Sequence, residues 1–348
     1  MERTFKLSGI VFCLSLFLIS CNQNQPSPEV SEHSSGYEFP SLKGPYLGQN
    51  PPGTIPEIFA PGIISTGLAE LDICFSPDGK EFYFSIFTIA AGPFRKNLIF
   101  GSYIENSVWM MPSEFTQNSK RRTRYPFICP QGNKLFYNSS QTELKEPNSS
   151  PSFIWYVERI EGKWENPMEV DFGPDYKGSA GIYPTVAANG NLYFTGFEED
   201  GPACIYRSTF VDGKYSTPER LSEAVNKGGG DHAYIAQDES YLIFASDRED
   251  DALRGNDLYI SFQDSEGKWT EAQNLGETIN CATNDTRPFV SFDGKYLFFA
   301  SDRTMISELP KKIMSYQEVQ DLLTGSSNGM QHLYWVDAKI IESLRPLK

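Results

Sequence analysis

Downstream of residue 54 the apolar positions come in short bursts separated by Gly, Asn, Asp and Pro, and the bursts repeat. Five segments share one pattern: an apolar strand, a polar turn, then a strongly aromatic strand. The first reads Asp72-Ile-Cys-Phe-Ser-Pro-Asp-Gly-Lys-Glu-Phe-Tyr-Phe and the fifth Arg287-Pro-Phe-Val-Ser-Phe-Asp-Gly-Lys-Tyr-Leu-Phe-Phe; the others open at Tyr125, Tyr183 and His232. Their turns fall at Asp78, Gln131, Asn189, Asp238 and Asp293, a period of roughly 50 to 58 residues, which marks a repeat architecture. Asp-Gly and Asn-Gly suit hairpin turns that need positive φ, and β-branched or aromatic flanks suit strands. Each unit is therefore expected to begin with a hairpin of strands A and B. A third strand, C, follows at Leu98, Ile154, Cys204, Leu258 and Leu333, and a fourth, D, at Pro112-Ser-Glu-Phe, Pro167-Met-Glu-Val, Pro218-Glu-Arg-Leu and Ala272-Gln-Asn-Leu.

The strand count predicts how the ring closes. The fifth unit runs out after strand C, while Pro56-Glu-Ile-Phe, ahead of the first unit, matches the D pattern and has no unit of its own. The N-terminal strand is expected to complete the last blade. The fold class is thus all-β, a propeller of five four-stranded blades whose closure hides most sheet edges. Six blades would require a further unit that the pattern does not show.

These repeats resemble the TolB-like, WD-repeat-like β-propeller family, whose unit reads Ser-Pro-Asp-Gly-Lys, an aromatic strand, then Ser-Asp-Arg. Ser76-Pro77-Asp78-Gly79-Lys80, Ser246-Asp247-Arg248 and Ser301-Asp302-Arg303 match it, whereas Pro130-Gln131-Gly132 and Ala188-Asn189-Gly190 depart from it. The resemblance spans about residues 56–340. It implies the propeller; for function it implies an envelope binding or scaffolding protein only loosely, because propellers host many activities.

The first twenty residues have a different character. Arg3 and Lys6 precede an apolar run from Leu7 to Ser20, too short to span a bilayer comfortably. The run ends in Leu18-Ile-Ser-Cys21, which resembles the lipobox of bacterial lipoproteins; the resemblance implies lipidation of Cys21, and several acyl chains on one residue give stable anchoring. The expected organisation is a signal peptide over 1–20, a flexible Pro/Ser/Gly/Asn/Gln-rich tether over 21–53 and the propeller over 54–348. The implied location is the bacterial cell envelope, with the outer membrane as the expected site and the chain facing periplasm or cell surface.

A formal net charge of -15 argues against nucleic acid as a partner, since phosphates call for a basic face. It also leaves membrane contact to the lipid. Cys74, Cys129, Cys204 and Cys281 form no Cys-x-x-Cys pair, so no zinc or redox signature appears; a disulfide among them is allowed in an oxidising compartment.

Long loops on a rigid scaffold are where binding usually sits. The B–C loops (86–97, 139–152, 197–203, 248–256, 304–332) are long and the A–B turns tight, so the B–C face is the expected working face. It also carries the residues that open strand A around the central channel: Asp72, Tyr125, Tyr183, His232 and Arg287, with Glu70, Arg124, Asp231 and Asp285 close by. As a functional site this ring would suit a sugar, peptide or partner loop; as a structural device it would tie neighbouring blades and trapped water. Asp247, Glu249, Asp250, Asp251 and Asp257 crowd one loop, where oxygen ligands could hold calcium, although no known loop spacing appears; no other cofactor is implied. Ser-Asp-Arg is expected to pair its own Asp and Arg across the end of strand B. Ser315 and Glu318 form a capping-box pattern with Gly325 as a stop, predicting a short helix packed as a flap through Val319, Leu322 and Leu323.

Two functions follow: a non-catalytic envelope scaffold that binds a protein or glycan, or a carbohydrate-active enzyme using Asp72, Asp231 and Asp285, since glycoside hydrolysis needs paired carboxylates. A metal-assisted lyase would want clustered His, but only His33, His232 and His332 are present. No Gly-x-Ser-x-Gly elbow and no hydrolase domain are expected, which sets aside a propeller gating a serine peptidase.

Overall fold

The computed structural model describes residues 38–87, 97–115, 123–140, 152–174, 176, 181–197, 201–248, 255–280, 284–303, 313–326 and 328–346. The chain divides into two units, Met1–Pro40, of which only residues 38–40 are described, and Ser41–Lys348. Cys21 and the signal segment lie outside the described residues.

The second unit is a five-bladed propeller. Its inner strands A are Ala69–Phe75, Thr123–Ile128, Ile182–Val186, Asp231–Ile235 and Asp285–Val290. Each pairs antiparallel with a strand B (Glu81–Phe87, Lys134–Ser140, Leu192–Phe197, Tyr241–Ser246, Tyr296–Ser301), then C and D, in meander order. Strands C are Asn97–Glu105, Ser152–Ile160, Ala203–Ser208, Asp257–Phe262 and His332–Asp337. In blade 5 strand D is Glu57–Ile58, with Glu57 opposite Trp335 and Ile58 opposite Tyr334. The expected closure is therefore present. Phe59 follows that strand with no exposed surface and sits edge-on to Phe298 and Trp335 at 5.2 and 5.3 Å between ring centroids.

The compact unit begins at Ser41 rather than at 54. Residues 41–53, expected as part of the tether, pack on blades 1 and 5: Trp109 donates its backbone N–H to Leu42 and its indole N–H to Gly44, and Tyr46 packs edge-on to Phe75 and Tyr296 and tilted against Trp335. Three apolar residues among the Pro and Gly of this stretch, Leu42, Tyr46 and Leu47, contact the core.

The A–B turns obey their sequence chemistry. Gly79, Gly132, Gly190 and Gly294 take positive φ there, which glycine adopts at little cost. Blade 4 has Glu239 at this place, with φ 59°; its carboxylate accepts from Asn189, Asn191 and Tyr193 of blade 3. Those three bonds offset the left-handed backbone and close the boundary between the two blades.

Two predicted details change. Arg303 does not pair with Asp302: it turns back to Asp285 at 2.8 Å and donates to the Ile279 carbonyl at the end of blade 4, while its guanidinium lies 4.8 Å from the Tyr334 ring centroid. Asp302 instead accepts from the backbone and side chain of Asn284. Arg248 repeats the device one blade earlier, donating to Val225 and lying over Tyr259. The motif is a latch to the preceding blade, because a long cation gains more over a ring and beneath a carbonyl than beside its own neighbour. The helix Tyr316–Thr324 forms with its capping box, Ser315 accepting from Glu318 N–H and Glu318 accepting from Ser315 N–H. It is not a packed flap: none of its residues is buried, and Leu323 is 61% exposed.

Candidate functional site at the channel mouth

Asp72, Tyr125, Tyr183, His232 and Arg287 all have left-handed backbone, with φ between 52° and 61°. Each sits at a register shift in its inner strand, such as that between Leu71 and Cys74 or between Thr286 and Phe289. One extra residue bends the strand there and re-aims its side chain. In blades 2, 3 and 5 the next residue is Pro126, Pro184 or Pro288. Proline fits because the inner strand is a sheet edge facing the axis and the bulge asks no ladder hydrogen bond of it. The conformation costs on the order of 1–2 kcal/mol per residue for a non-glycine. Since all five blades bear it, it belongs to the repeat rather than to one reactive residue.

The bulges bring the five side chains together across the axis. Arg287 Nε lies 2.9 Å from Asp72 Oδ1, and its Nη1 donates to Thr286 and Gln331. The Tyr183 ring centroid lies 3.8 Å from both Tyr125 and His232, and the Arg287 guanidinium lies 5.7 Å from it. Arg124 covers the other side of Tyr125 at 4.7 Å. Below this layer Phe127, Tyr234 and Phe289, from blades 2, 4 and 5, meet at 5.7–6.5 Å. The axis is therefore filled, with a polar–aromatic layer over an aromatic one. The space left among these residues is about 40 Å³, enough for one or two water molecules and too little for a sugar ring.

Electrostatics follow from this burial. Desolvation pushes the Asp72 carboxyl up to about 6, against the pull of Arg287. Burial likewise raises Asp231 and lifts Tyr183 well above the usual phenol range. Desolvation, with the Arg287 and Arg124 charges, holds His232 well below 6.5, so it is neutral near pH 7. Nδ1 of His232 lies 3.2 Å from Asp231, yet neither ring nitrogen makes a well-formed hydrogen bond among the described residues.

Not every expected residue joins the ring. Asp285 is fully buried beneath Arg303, and Glu70 is buried against Nδ1 of His332 at 3.0 Å. Asp285 thus faces Arg303 within blade 5, and Glu70 links the inner strand of blade 1 to His332 of blade 5. Asp257 is buried at the start of its strand and accepts from Asn274, whereas Glu249, Asp250 and Asp251 lie outside the described residues, as do the B–C segments 88–96, 141–151, 198–200 and 304–312. Cys74, Cys129 and Cys204 are buried free thiols, and Cys281 lies outside the described residues. The expectation that the chain lacks Gly-x-Ser-x-Gly is corrected by Gly325-Ser-Ser-Asn-Gly329, which spells it. The described elements on either side are the helix Tyr316–Thr324 before it and strand C of blade 5, His332–Asp337, after it, the reverse of the strand-to-helix order a nucleophile elbow needs.

The larger described cavities open on the other face, beside the A–B turns. One of about 760 Å³ lies between blades 4 and 5, and one of about 490 Å³ lies between blades 5 and 1 beside Tyr46. Sequence reading missed them. The available signal was a break in the repeat: strand B opens with Glu81 or Lys134 in blades 1 and 2 but with Tyr241 and Tyr296 in blades 4 and 5.

Solved structures carry similar architecture. A TolB candidate from Agrobacterium tumefaciens matches with 15% identity and a TM-score of 0.47, covering 78% of this chain and 90% of that one. TolB from Acinetobacter baumannii matches with 12% identity and a TM-score of 0.45, this chain covering 57% of its length. An α-L-arabinofuranosidase from Lactobacillus brevis matches with 11% identity and a TM-score of 0.47, with 80% and 92% covered. No family model matches the sequence, and no curated protein is similar to it. The blade count rests on the five sheets themselves.

Proposed function

We propose that this chain is a lipid-anchored cell-envelope protein, held through Cys21, whose propeller is a non-catalytic scaffold that binds an envelope protein or a glycan. The observation that carries the reading is the state of the candidate carboxylates. Asp72 and Asp285 are buried and matched to Arg287 and Arg303, and Asp231 sits against a neutral His232. A glycosidase needs two carboxyl groups about 5–10 Å apart flanking an open sugar subsite; the mouth offers one ion pair, Asp72 with Arg287, beside about 40 Å³ of space. A rigid ring with its axis filled suits presentation of a surface.

Two measurements test this. Chemical crosslinking in intact cells should enrich one envelope protein or one glycan on the wild-type chain, and Cys21→Ser should release the chain from the membrane fraction. Purified protein lacking residues 1–21 should turn over no member of a broad glycan panel. Hydrolysis or elimination that vanishes in Asp72→Asn or Asp231→Asn would replace the scaffold with an enzyme.

A further inference from the structure

The repeat supplies its own control for the cleft between blades 4 and 5. At the boundary between blades 1 and 2, Glu81 at the start of strand B receives a two-pronged ion pair from Arg159 of the next blade, at 2.6 and 2.7 Å. Arg159 is fixed by its backbone N–H donating to Asn133. In blade 5 the residue in that backbone position is Ala338, donating to Lys295, and in blade 4 the counterpart of Glu81 is Tyr241. The fork that closes one boundary is thus replaced by a tyrosine and an alanine, and both residues line the 760 Å³ cavity. The boundary between blades 3 and 4 is closed by Glu239 and its three donors, while the one between blades 5 and 1 keeps the 490 Å³ cavity beside Tyr46. The cleft lies where neither device is used.

Its lining is particular. Tyr234, Tyr241 and Tyr296 border it, and their hydroxyls make no hydrogen bond among the described residues. Tyr234 is only 4% exposed but borders the cleft, and its hydroxyl has no hydrogen-bond partner among the described residues. The charges around the rim are already matched: Lys339 to Asp337, Arg345 to Glu342, and Lys295 to Asp293. Asp238 keeps a carboxylate with no ion pair among the described residues, bound only to the Ser240 N–H. Paired rim charges leave little net field to hold a phosphate or a basic peptide. What is offered is tyrosine faces, free hydroxyls and one hydrogen-bonding carboxylate, in a cavity of ligand size.

We propose that the cleft between blades 4 and 5 is a binding site for a neutral saccharide, one or two sugar units of an oligosaccharide, stacked on Tyr241 or Tyr296 and hydrogen-bonded by Tyr234 and Asp238. The site lies on the A–B face, away from the channel mouth, and stands whether or not the mouth binds a partner.

The test uses the chain from residue 22 onward and a panel of gluco-, manno-, xylo-, galacto- and chito-oligosaccharides, read by saturation-transfer NMR and titration calorimetry. At least one should bind, and Tyr241→Ala or Asp238→Asn should weaken it about tenfold or more. The decisive variant is Tyr241→Glu with Ala338→Arg, which rebuilds the fork of blades 1 and 2 inside the cleft. It should retain the wild-type melting temperature within a few degrees and lose binding. If the double variant fails to fold, Ala338→Trp, which fills the same space from one side, takes its place with the same expectation. No saturation transfer from any sugar, or binding that survives with the cleft filled, overturns the proposal. Binding lost only on changing Tyr183 would place the ligand at the mouth and overturn it equally.

Discussion

Asp72 and His232 share one layer of the channel mouth yet pull stability in opposite pH directions. Between about pH 4 and 6 the folded chain keeps a proton on Asp72 that the unfolded chain releases. Its contribution is therefore present at the acid end and lost as pH rises through about 6. His232 does the reverse: below about 6.5 the unfolded chain takes a proton that the folded chain refuses, so its contribution is lost as pH falls. Urea unfolding at several pH values should separate them. Asp72→Asn should make stability rise more steeply from pH 4 to 6 than in the wild type, by roughly 3 kcal/mol over the window at most. His232→Gln should reduce the loss between pH 7 and 5, by up to about 1.4 kcal/mol per pH unit. Parallel profiles for wild type and variants would mean that the layer is more hydrated than its packing implies. The thiols make a second residue-scale test. Burial pushes Cys74 up to about 12, and Cys129 and Cys204 are equally enclosed. Mass spectrometry after treatment with a thiol reagent should find all three unmodified in the native chain and labelled once it unfolds; fast native labelling would show the blades opening locally.

At the level of elements, the Ser-Asp-Arg latch ties a blade to the one before it. Arg303→Met leaves the Asp285 carboxylate buried with its cation gone, and the expected cost is about 3–5 kcal/mol. Asp285→Leu with Arg303→Met should recover much of it, because removing both charges removes the desolvation problem. A single variant as stable as wild type would show that Asp285 finds its stabilisation elsewhere. The strands, turns and the capped helix were legible in the sequence because hydrophobic spacing and turn residues act locally and recur five times. The pairings were not. Asp302 lies beside Arg303 in the chain, but strand geometry sends the guanidinium inward to Asp285, and no local signal records that. The strap over 41–53 was hidden for a similar reason: its composition reads as linker, while Leu42, Tyr46 and Leu47 gain their meaning only from the surface of blades 1 and 5. At the mouth the five ring residues were legible from repeat alignment; their left-handed bulges, although flagged by Tyr-Pro and Arg-Pro, and their mutual stacking were not.

For the whole molecule the decisive join is between Glu57–Ile58 and the strand His332–Asp337. Deleting residues 54–60 uncovers the blade 5 edge and removes Phe59 from among Phe75, Phe298 and Trp335. Phe59→Ala alone should cost about 3–5 kcal/mol, and the deletion should lower the melting temperature of the entire propeller and promote association through the bared edge. A deletion variant that melts like wild type would show that the ring is held by its other blade boundaries alone.

That join also imposes an order of events during synthesis. The outer strand of blade 5 is among the first parts of the propeller to be made, and its partner, with Trp335 and Tyr334, is among the last. Blades 1 to 4 can assemble as they emerge, each from neighbouring sequence, but the fifth waits for the far end of the chain. Contacts of such long sequence separation form slowly, and until they do two sheet edges stay open to other chains. A chain arrested anywhere before residue 332 is left with an open arc, its early strand unmatched, so quality control of this protein has a single late checkpoint.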